Sequence, residues 1–271
     1  MSASTFLALP AEIRNQIYEL ALTSPKPLCI HQTPERAPPF NQLKYINKQL
    51  YAETAHLELI YNNLLVRAES YDEQPGQMLL QWLSNMPPAK RACVRTVTLK
   101  YNVAKSNMVA TLNPFTGRTR YITTNTAPDF PETAETFRQL AKVCRANPAM
   151  KIHYQLPKWT FNGPDEPFMF REPFMFSHAL QASFTFRDNI DFHHVFADFP
   201  SSVWPTPTLP VRIRASVVAW RKDVSVRDMQ ADNLRFFPTH TEEDQVKHKA
   251  SSHSGLEHVR KWTQKWMLEG M

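Results

Sequence analysis

Glycine, cysteine and long apolar runs are all scarce in this chain. Its 271 residues include five glycines, which form neither a P-loop nor a dinucleotide-binding motif. Cys29, Cys93 and Cys144 are odd in number and far apart, which argues against a disulfide framework and a paired zinc site. There is no run of about 18 apolar residues and no secretory leader pattern. We therefore expect a chain with reduced thiols in the cytoplasm or nucleus, without a membrane segment.

Sequence signatures of catalysis and of cofactor binding are also lacking. There is no Gly-x-Ser-x-Gly elbow, and each cysteine lacks an evident activating base. His193-His194 stands between two aspartates, but no third ligand cluster follows, so a surface loop is favoured over a metal site. The histidines scattered through the polar stretch 240–258 indicate a linker before a terminal helix. We expect no metal, no cofactor and no enzymatic activity.

Proline and charge are distributed in a way that bears on partners. The 22 prolines predict many stiff, irregular connections. Residues 71–160 carry twelve basic and five acidic side chains, whereas residues 161–210 carry two basic and six acidic ones. These regions could attract each other or an external partner, but no basic run is long enough to predict nucleic-acid binding. The Phe- and Pro-rich segment 157–210 is interpreted as an extended cover on a sheet.

An amphipathic helix is predicted near the start of the chain. In LALPAEIRNQIYELAL, four apolar residues recur at spacings of four, four and three, which places them on one helical face. They are Leu9, Ile13, Ile17 and Leu20. Pro10 suits the first helical position, where its missing N–H needs no partner, and Ser24-Pro25 ends the helix. The pattern predicts a helix over residues 10–23.

A second helix and a mixed body are predicted to follow. An apolar stripe over residues 41–61 predicts one long helix that packs against the first, and residues 25–39 are expected to be a loop. The stripe consists of Leu43, Ile46, Leu50, Thr54, Leu57 and Ile60. Further patterns predict strands near residues 63–67, 94–100, 151–156 and 211–220, and helices near 75–86, 131–146 and the C-terminus. Strands 94–100 and 151–156 are expected to be neighbours joined by a right-handed crossover.

The N-terminal segments carry a family resemblance. Phe6-Leu7-x-Leu9-Pro10-x-Glu12-Ile13-Arg14-x-x-Ile17-Tyr18, followed by INKQLYAETAHLELIYNNLLV at 46–66, resembles the N-terminal module of a large group of fungal F-box-like proteins. The resemblance implies an α+β fold, in which an F-box-like helical module at residues 1–70 precedes a mixed α/β body with a small sheet at residues 71–271. The body would then be the region that recognises a partner.

The resemblance also implies a function in protein interaction. In F-box proteins the corresponding helix binds the Skp adaptor of a cullin-RING ubiquitin ligase, and the body recruits the target protein. By position, Leu9, Pro10, Ile13 and Ile17 are the partner-binding candidates. A fungus-specific interaction module without a ligase partner is the alternative, and an enzyme of unknown type is the third possibility.

The apolar stripe of the first helix can have one of two environments. It is either buried in the chain's own core or left open for a partner. Near the facing stripes stand a basic and an acidic residue, Arg14 and Glu53, which we expect to pair between the two helices.

Overall fold

The computed structural model describes residues 6–30, 40–70, 73–101, 108–112, 119–123, 132–156, 218–237 and 268–270. These residues form helices and a small parallel sheet, an architecture compatible with the expected α+β class. Several predicted features lie outside the described residues: the segment 157–210, most of the predicted strand 211–220, the polar stretch 240–258 and nearly all of the terminal helix. His193-His194 is among them.

Parallel strands build the main sheet. In chain order the strands are β1 (Leu28–Cys29), β2 (Asn63–Ala68), β3 (Thr96–Tyr101), β4 (Met108–Leu112), β5 (Thr119–Thr123), β6 (Lys151–Gln155) and β7 (Leu234–Phe237). The five-stranded sheet has the order β1-β2-β3-β6-β7, and its neighbours are all parallel. Strands β4 and β5 form a separate antiparallel pair. The expected pairing of strands 94–100 and 151–156 is confirmed, because β3 and β6 are adjacent.

The described residues also contain helices of short to medium length. They are α1 (Ala11–Leu22), α2 (Lys48–Thr54), α3 (Leu57–Tyr61), α4 (Pro75–Ser84), α5 (Pro88–Arg91), α6 (Ala134–Ala146) and α7 (Val226–Met229). A 3-10 turn, Leu43–Tyr45, precedes α2, and residues 218–221 are also helical. The helices predicted near residues 10–23, 75–86 and 131–146 are thereby confirmed as α1, α4 and α6.

One predicted helix is broken into three pieces. The stripe over residues 41–61 is divided between the 3-10 turn, α2 and α3. Asn47 separates the 3-10 turn from α2, because it is the N-cap residue of α2 and its side chain accepts the Leu50 N–H at 2.8 Å. Three short helices keep the same apolar spacing as one long helix, so the periodicity alone could not reveal the breaks.

Other departures concern short strands. Residues 28–29, expected in a loop, pair with β2. The antiparallel β4–β5 pair lies in residues for which no strand was predicted. The predicted strand 211–220 is wrong at its described end, where residues 218–220 are helical. β7 has no counterpart in the prediction, because a four-residue Leu-Arg-Phe-Phe segment is too short to show a strand period.

A single face of the sheet carries the main core. Inward residues of adjacent strands align in rows across the sheet, and one such row is Val66, Leu99, Tyr154 and Phe236. Phe137 of α6 lies edge-on to Tyr154 and Phe236, with ring centroids 5.1 and 5.5 Å apart. A smaller cluster formed by Tyr18, Leu22 and Leu50 lies wholly within residues 1–70. The main sheet includes β1 and β2, which belong to that N-terminal region. Because β2 pairs with β3, hydrogen bonds of the sheet join residues 1–70 to the residues that follow.

Candidate functional site

Helix α1 has two different apolar faces. Tyr18 and Leu22 are buried against Leu50. Ile13, Ile17 and Leu20 are 41%, 37% and 82% exposed. At about 100° per residue these three lie within about 60° of one another, and their centre is about 130° from Tyr18. The apolar stripe from which the helix was predicted is therefore not the face that packs against the rest of the chain.

The buried face of α1 follows a separate four-residue spacing. Arg14, Tyr18 and Leu22 stack one turn apart, and the Tyr18 ring meets Phe6 at a centroid distance of 5.8 Å. Burial of the isoleucines in the chain's own core was one of the two alternatives that the sequence left open. Tyrosine and arginine fill the contact with the second helical segment instead, because a long amphipathic side chain can bury its stem and still satisfy its polar end.

The start of α1 brings the remaining partner-binding candidates to the surface. Leu9 is half-buried and Pro10 is exposed. Pro10 is the N-cap residue, one position before the predicted one, and its carbonyl oxygen accepts the N–H groups of Ile13 and Arg14, each at 3.1 Å. The four candidates Leu9, Pro10, Ile13 and Ile17 thus belong to one continuous stretch with apolar atoms accessible to a partner.

Arg14 joins this stretch to the second helical segment. Its Nε donates to Glu53 Oε2 at 3.0 Å and its Nη2 donates to Glu53 Oε1 at 2.8 Å. The Nη1 group donates to the Leu9 carbonyl at 2.5 Å and to the Leu7 carbonyl at 3.4 Å. The structure therefore brings the expected pair together in fork-to-fork geometry. Arg14 also holds the turn that carries Leu9.

Two further donors complete the environment of Glu53. Tyr18 Oη donates to Oε2 at 2.6 Å and Gln49 Nε2 donates to Oε1 at 3.0 Å. Hydrogen bonds from Arg14, Tyr18 and Gln49 lower the pKa of Glu53 to about 2. Burial and the bond to Glu53 raise the pKa of Tyr18 to about 12. All these groups keep one protonation state near neutral pH, which suits a rigid support and not acid–base catalysis.

Asn62 fixes the other end of α1, a role that sequence reasoning missed. This buried side chain donates through Nδ2 to the carbonyl of Leu22 at 2.6 Å and to that of Glu58 at 2.9 Å. Its Oδ1 accepts the Ser24 N–H at 2.6 Å. One amide therefore satisfies the C-terminal ends of both α1 and α3. The asparagines before the strand were a visible signal, but they indicated only a turn.

A second polar cluster lies inside the body. Glu132 is 1% exposed, and its Oε1 accepts the Gly76 N–H at 2.6 Å and the Tyr101 hydroxyl at 3.4 Å. Burial raises the pKa of Glu132 to about 7. Burial also raises the pKa values of Tyr101 and Tyr154 well above the ordinary value. The pKa of this carboxyl is raised, whereas the pKa values of Glu53 and Glu135 are lowered, and nothing in the sequence marked it.

Thiol and metal chemistry find little support in the described parts of the chain. Cys144 is buried on the α6 core face, and burial raises its pKa to about 12. Cys29 and Cys93 are half-buried free thiols. Within the residues that the structure describes, no three His, Cys, Asp or Glu side chains are grouped closely enough to hold a metal ion.

Two further findings concern membrane-spanning helices and similarity to known proteins. No helix in the described ranges has the length and apolar character needed to cross a bilayer. Comparison of the chain with protein-family models, with curated proteins and with solved structures finds no match.

Proposed function

We propose that this chain is a non-enzymatic substrate adaptor of a cullin-RING ubiquitin ligase. The outer face of α1, formed by Leu9, Pro10, Ile13 and Ile17, binds a Skp-type adaptor protein. The body, residues 71–271, recruits an unidentified target protein. The observation that carries the proposal is the exposure of Ile13 and Ile17 on a helix that already has another face to bury.

The exposed stripe provides favourable binding energy. Full burial of an isoleucine side chain contributes about 1.5 to 3 kcal/mol. Burial of the exposed 41% of Ile13 and 37% of Ile17 therefore contributes about 1 to 2 kcal/mol of the roughly 8 kcal/mol of a micromolar interaction. Adjacent exposed apolar residues on one helix also form the kind of surface that a partner helix or groove accepts. Leu20, one turn beyond Ile17, extends the same surface.

The support beneath the stripe favours binding without rearrangement. Arg14 ties the turn at Leu9 to Glu53, and Asn62 holds the C-terminal end of the helix. The helix is therefore fixed at both ends before a partner arrives. A preorganised surface loses less conformational entropy on association, so more of the contact energy appears as affinity.

Calorimetric titration of the purified full chain with a Skp-type adaptor tests the proposal. We expect binding by the wild type, and a loss of at least about tenfold in affinity for Ile13→Asp and for Ile17→Asp, because a carboxylate would be buried at the interface. Val218→Asp is the matched control, since Val218 is an exposed aliphatic residue of the body. Its affinity should equal that of the wild type. Circular dichroism of each variant verifies that the helices are intact.

Two outcomes would reject this function. One is a wild-type chain that does not bind the adaptor at all, which would favour the alternative of an interaction module without a ligase partner. The other is undiminished binding by both isoleucine variants, which would show that α1 is not the contact surface.

A further inference from the structure

The Glu132 carboxyl caps a helix from a distant part of the chain. Helix α4 begins with Pro75, which has no N–H, so Gly76 presents one of the first amide groups. Glu132 Oε1 accepts that amide at 2.6 Å across a separation of 56 residues. The cap residue of α4, Gln74, makes no side-chain capping bond of its own. Glu132 thus supplies the acceptor that the start of α4 lacks locally.

Gly76 is the residue that lets the carboxyl approach. A Cβ atom at this position would lie 3.0 Å from Glu132 Oε1 and 3.0 Å from Thr136 Cγ2. Such distances are shorter than ordinary contacts, so a side chain here would push the carboxyl away from the amide. The close approach of α4 to the start of α6 therefore depends on a glycine.

Among the described residues, the carboxyl has hydrogen-bond donors around it but no cation. From α4 it meets the amides of Gly76 and Gln77, from β3 the Tyr101 hydroxyl, and near them lies Tyr154 of β6. None of the lysine, arginine or histidine side chains in the described ranges is among the groups that perturb its pKa. Its second oxygen, Oε2, is shielded from solvent and has no hydrogen-bond partner among the described residues. An ionised carboxylate is poorly supported at such a place.

Two opposing effects decide the protonation state. The amides at the start of α4 favour the charged form, because they lie at the positive end of the helix dipole. Burial disfavours it and prevails, which raises the pKa of Glu132 to about 7. The neighbouring tyrosines remain neutral throughout this range, since burial raises both of their pKa values.

We propose that Glu132 is a proton-operated latch, which holds the start of α4 against the start of α6 and the end of β3 while protonated and loosens it when ionised. On ionisation the proton passes to solvent and the carboxylate is drawn towards water. A carboxylate accepts the Gly76 and Tyr101 hydrogen bonds more strongly than a neutral carboxyl does, but the cost of burying its charge is larger. Ionisation therefore lowers the free energy needed to open the first turn of α4 and expose the carboxylate to water. This device lies in the body and works independently of the α1 surface.

Amide hydrogen exchange measured by NMR on the full chain tests the latch. Protection factors of Gly76 and Gln77, corrected for the intrinsic exchange rate, should fall at least about tenfold between about pH 5.5 and about pH 8.5. In Glu132→Gln they should stay constant, because the neutral amide keeps an acceptor oxygen and has no proton to lose. Glu135→Gln is the matched control, since Glu135 is three residues away but pairs with Arg138. It should behave as the wild type.

Constant protection in the wild type would overturn the latch, as would an equal fall in Glu132→Gln. A second measurement needs no variant: the side-chain carboxyl carbon shift of Glu132 should titrate with a midpoint near pH 7. A midpoint near the ordinary value of about 4.5 would also overturn the proposal.

Discussion

Replacement of Asn62 tests how the end of the proposed docking helix is held. Its side chain makes three hydrogen bonds, to the Leu22 carbonyl at 2.6 Å, to the Glu58 carbonyl at 2.9 Å and from the Ser24 amide at 2.6 Å. At about 1 kcal/mol for each bond, Asn62→Ala should lower the free energy of unfolding by about 3 kcal/mol. For a chain of this size the melting temperature should fall by roughly 6 to 12 °C.

Asn62→Asp isolates the two bonds that the amide donates. The introduced carboxyl can still accept the Ser24 amide, but it places an oxygen against the carbonyls of Leu22 and Glu58, which cannot donate. Burial beside these oxygens should raise the pKa of the introduced carboxyl. A raised folded-state pKa means that the fold loses stability as pH rises above the unfolded value of about 4. The variant should therefore be less stable, relative to wild type, at about pH 8 than at about pH 4.

Urea unfolding followed by tryptophan fluorescence measures both effects. Asn63→Asp is the matched control, because the adjacent Asn63 has an exposed side chain at the start of β2. Its free energy of unfolding should stay within about 0.5 kcal/mol of wild type. If Asn62→Asp loses no more stability than Asn63→Asp at about pH 8, Asn62 does not fasten α1 and α3 in the way described.

Three further changes probe the other polar contacts. Arg14→Glu should lower the melting temperature, and adding Glu53→Arg should restore part of the loss; a thermal scan showing no recovery would contradict direct pairing. Glu132→Gln should stabilise the chain by up to about 3 kcal/mol above about pH 7, because the wild type loses stability as pH rises from about 4.5 to about 7. Urea titrations of both proteins at about pH 4.5 and above about pH 7 check this. A wild-type free energy of unfolding that does not change between these pH values would refute it. Gly76→Ala should cost about 1 to 3 kcal/mol despite its better helix propensity, whereas the exposed control Gln77→Ala should not; a raised melting temperature for Gly76→Ala would contradict the close approach.

Periodic segments were predictable because their signals are local. Helix α6 shows its core face directly, since Phe137, Leu140, Ala141 and Cys144 recur at three and four residues and are all buried. Strands β3 and β6 alternate inward and outward residues, and they were correctly expected to be neighbours. In each of these elements the apolar residues lie on one face, so the sequence pattern identifies the face that is buried.

Short elements were not predictable on the same basis. β1 has two residues and β7 has four, so each owes its conformation to the strand beside it and not to its own pattern. The breaks at either side of α2 depend on a single capping asparagine, Asn47, and on local hydrogen bonding, which a stripe of apolar residues does not record.

By itself, the sequence determined that an amphipathic helix lies near residues 10–23 and that Arg14 and Glu53 could meet. Only the tertiary structure decided which side of that helix faces inward. Tyr18 and Leu22 are buried because the Tyr18 hydroxyl donates a hydrogen bond to Glu53, and Ile13 and Ile17 are therefore exposed. The same holds for Glu132, whose raised pKa depends on Gly76, Tyr101 and burial. Interactions between residues so far apart in the chain have no local sequence period.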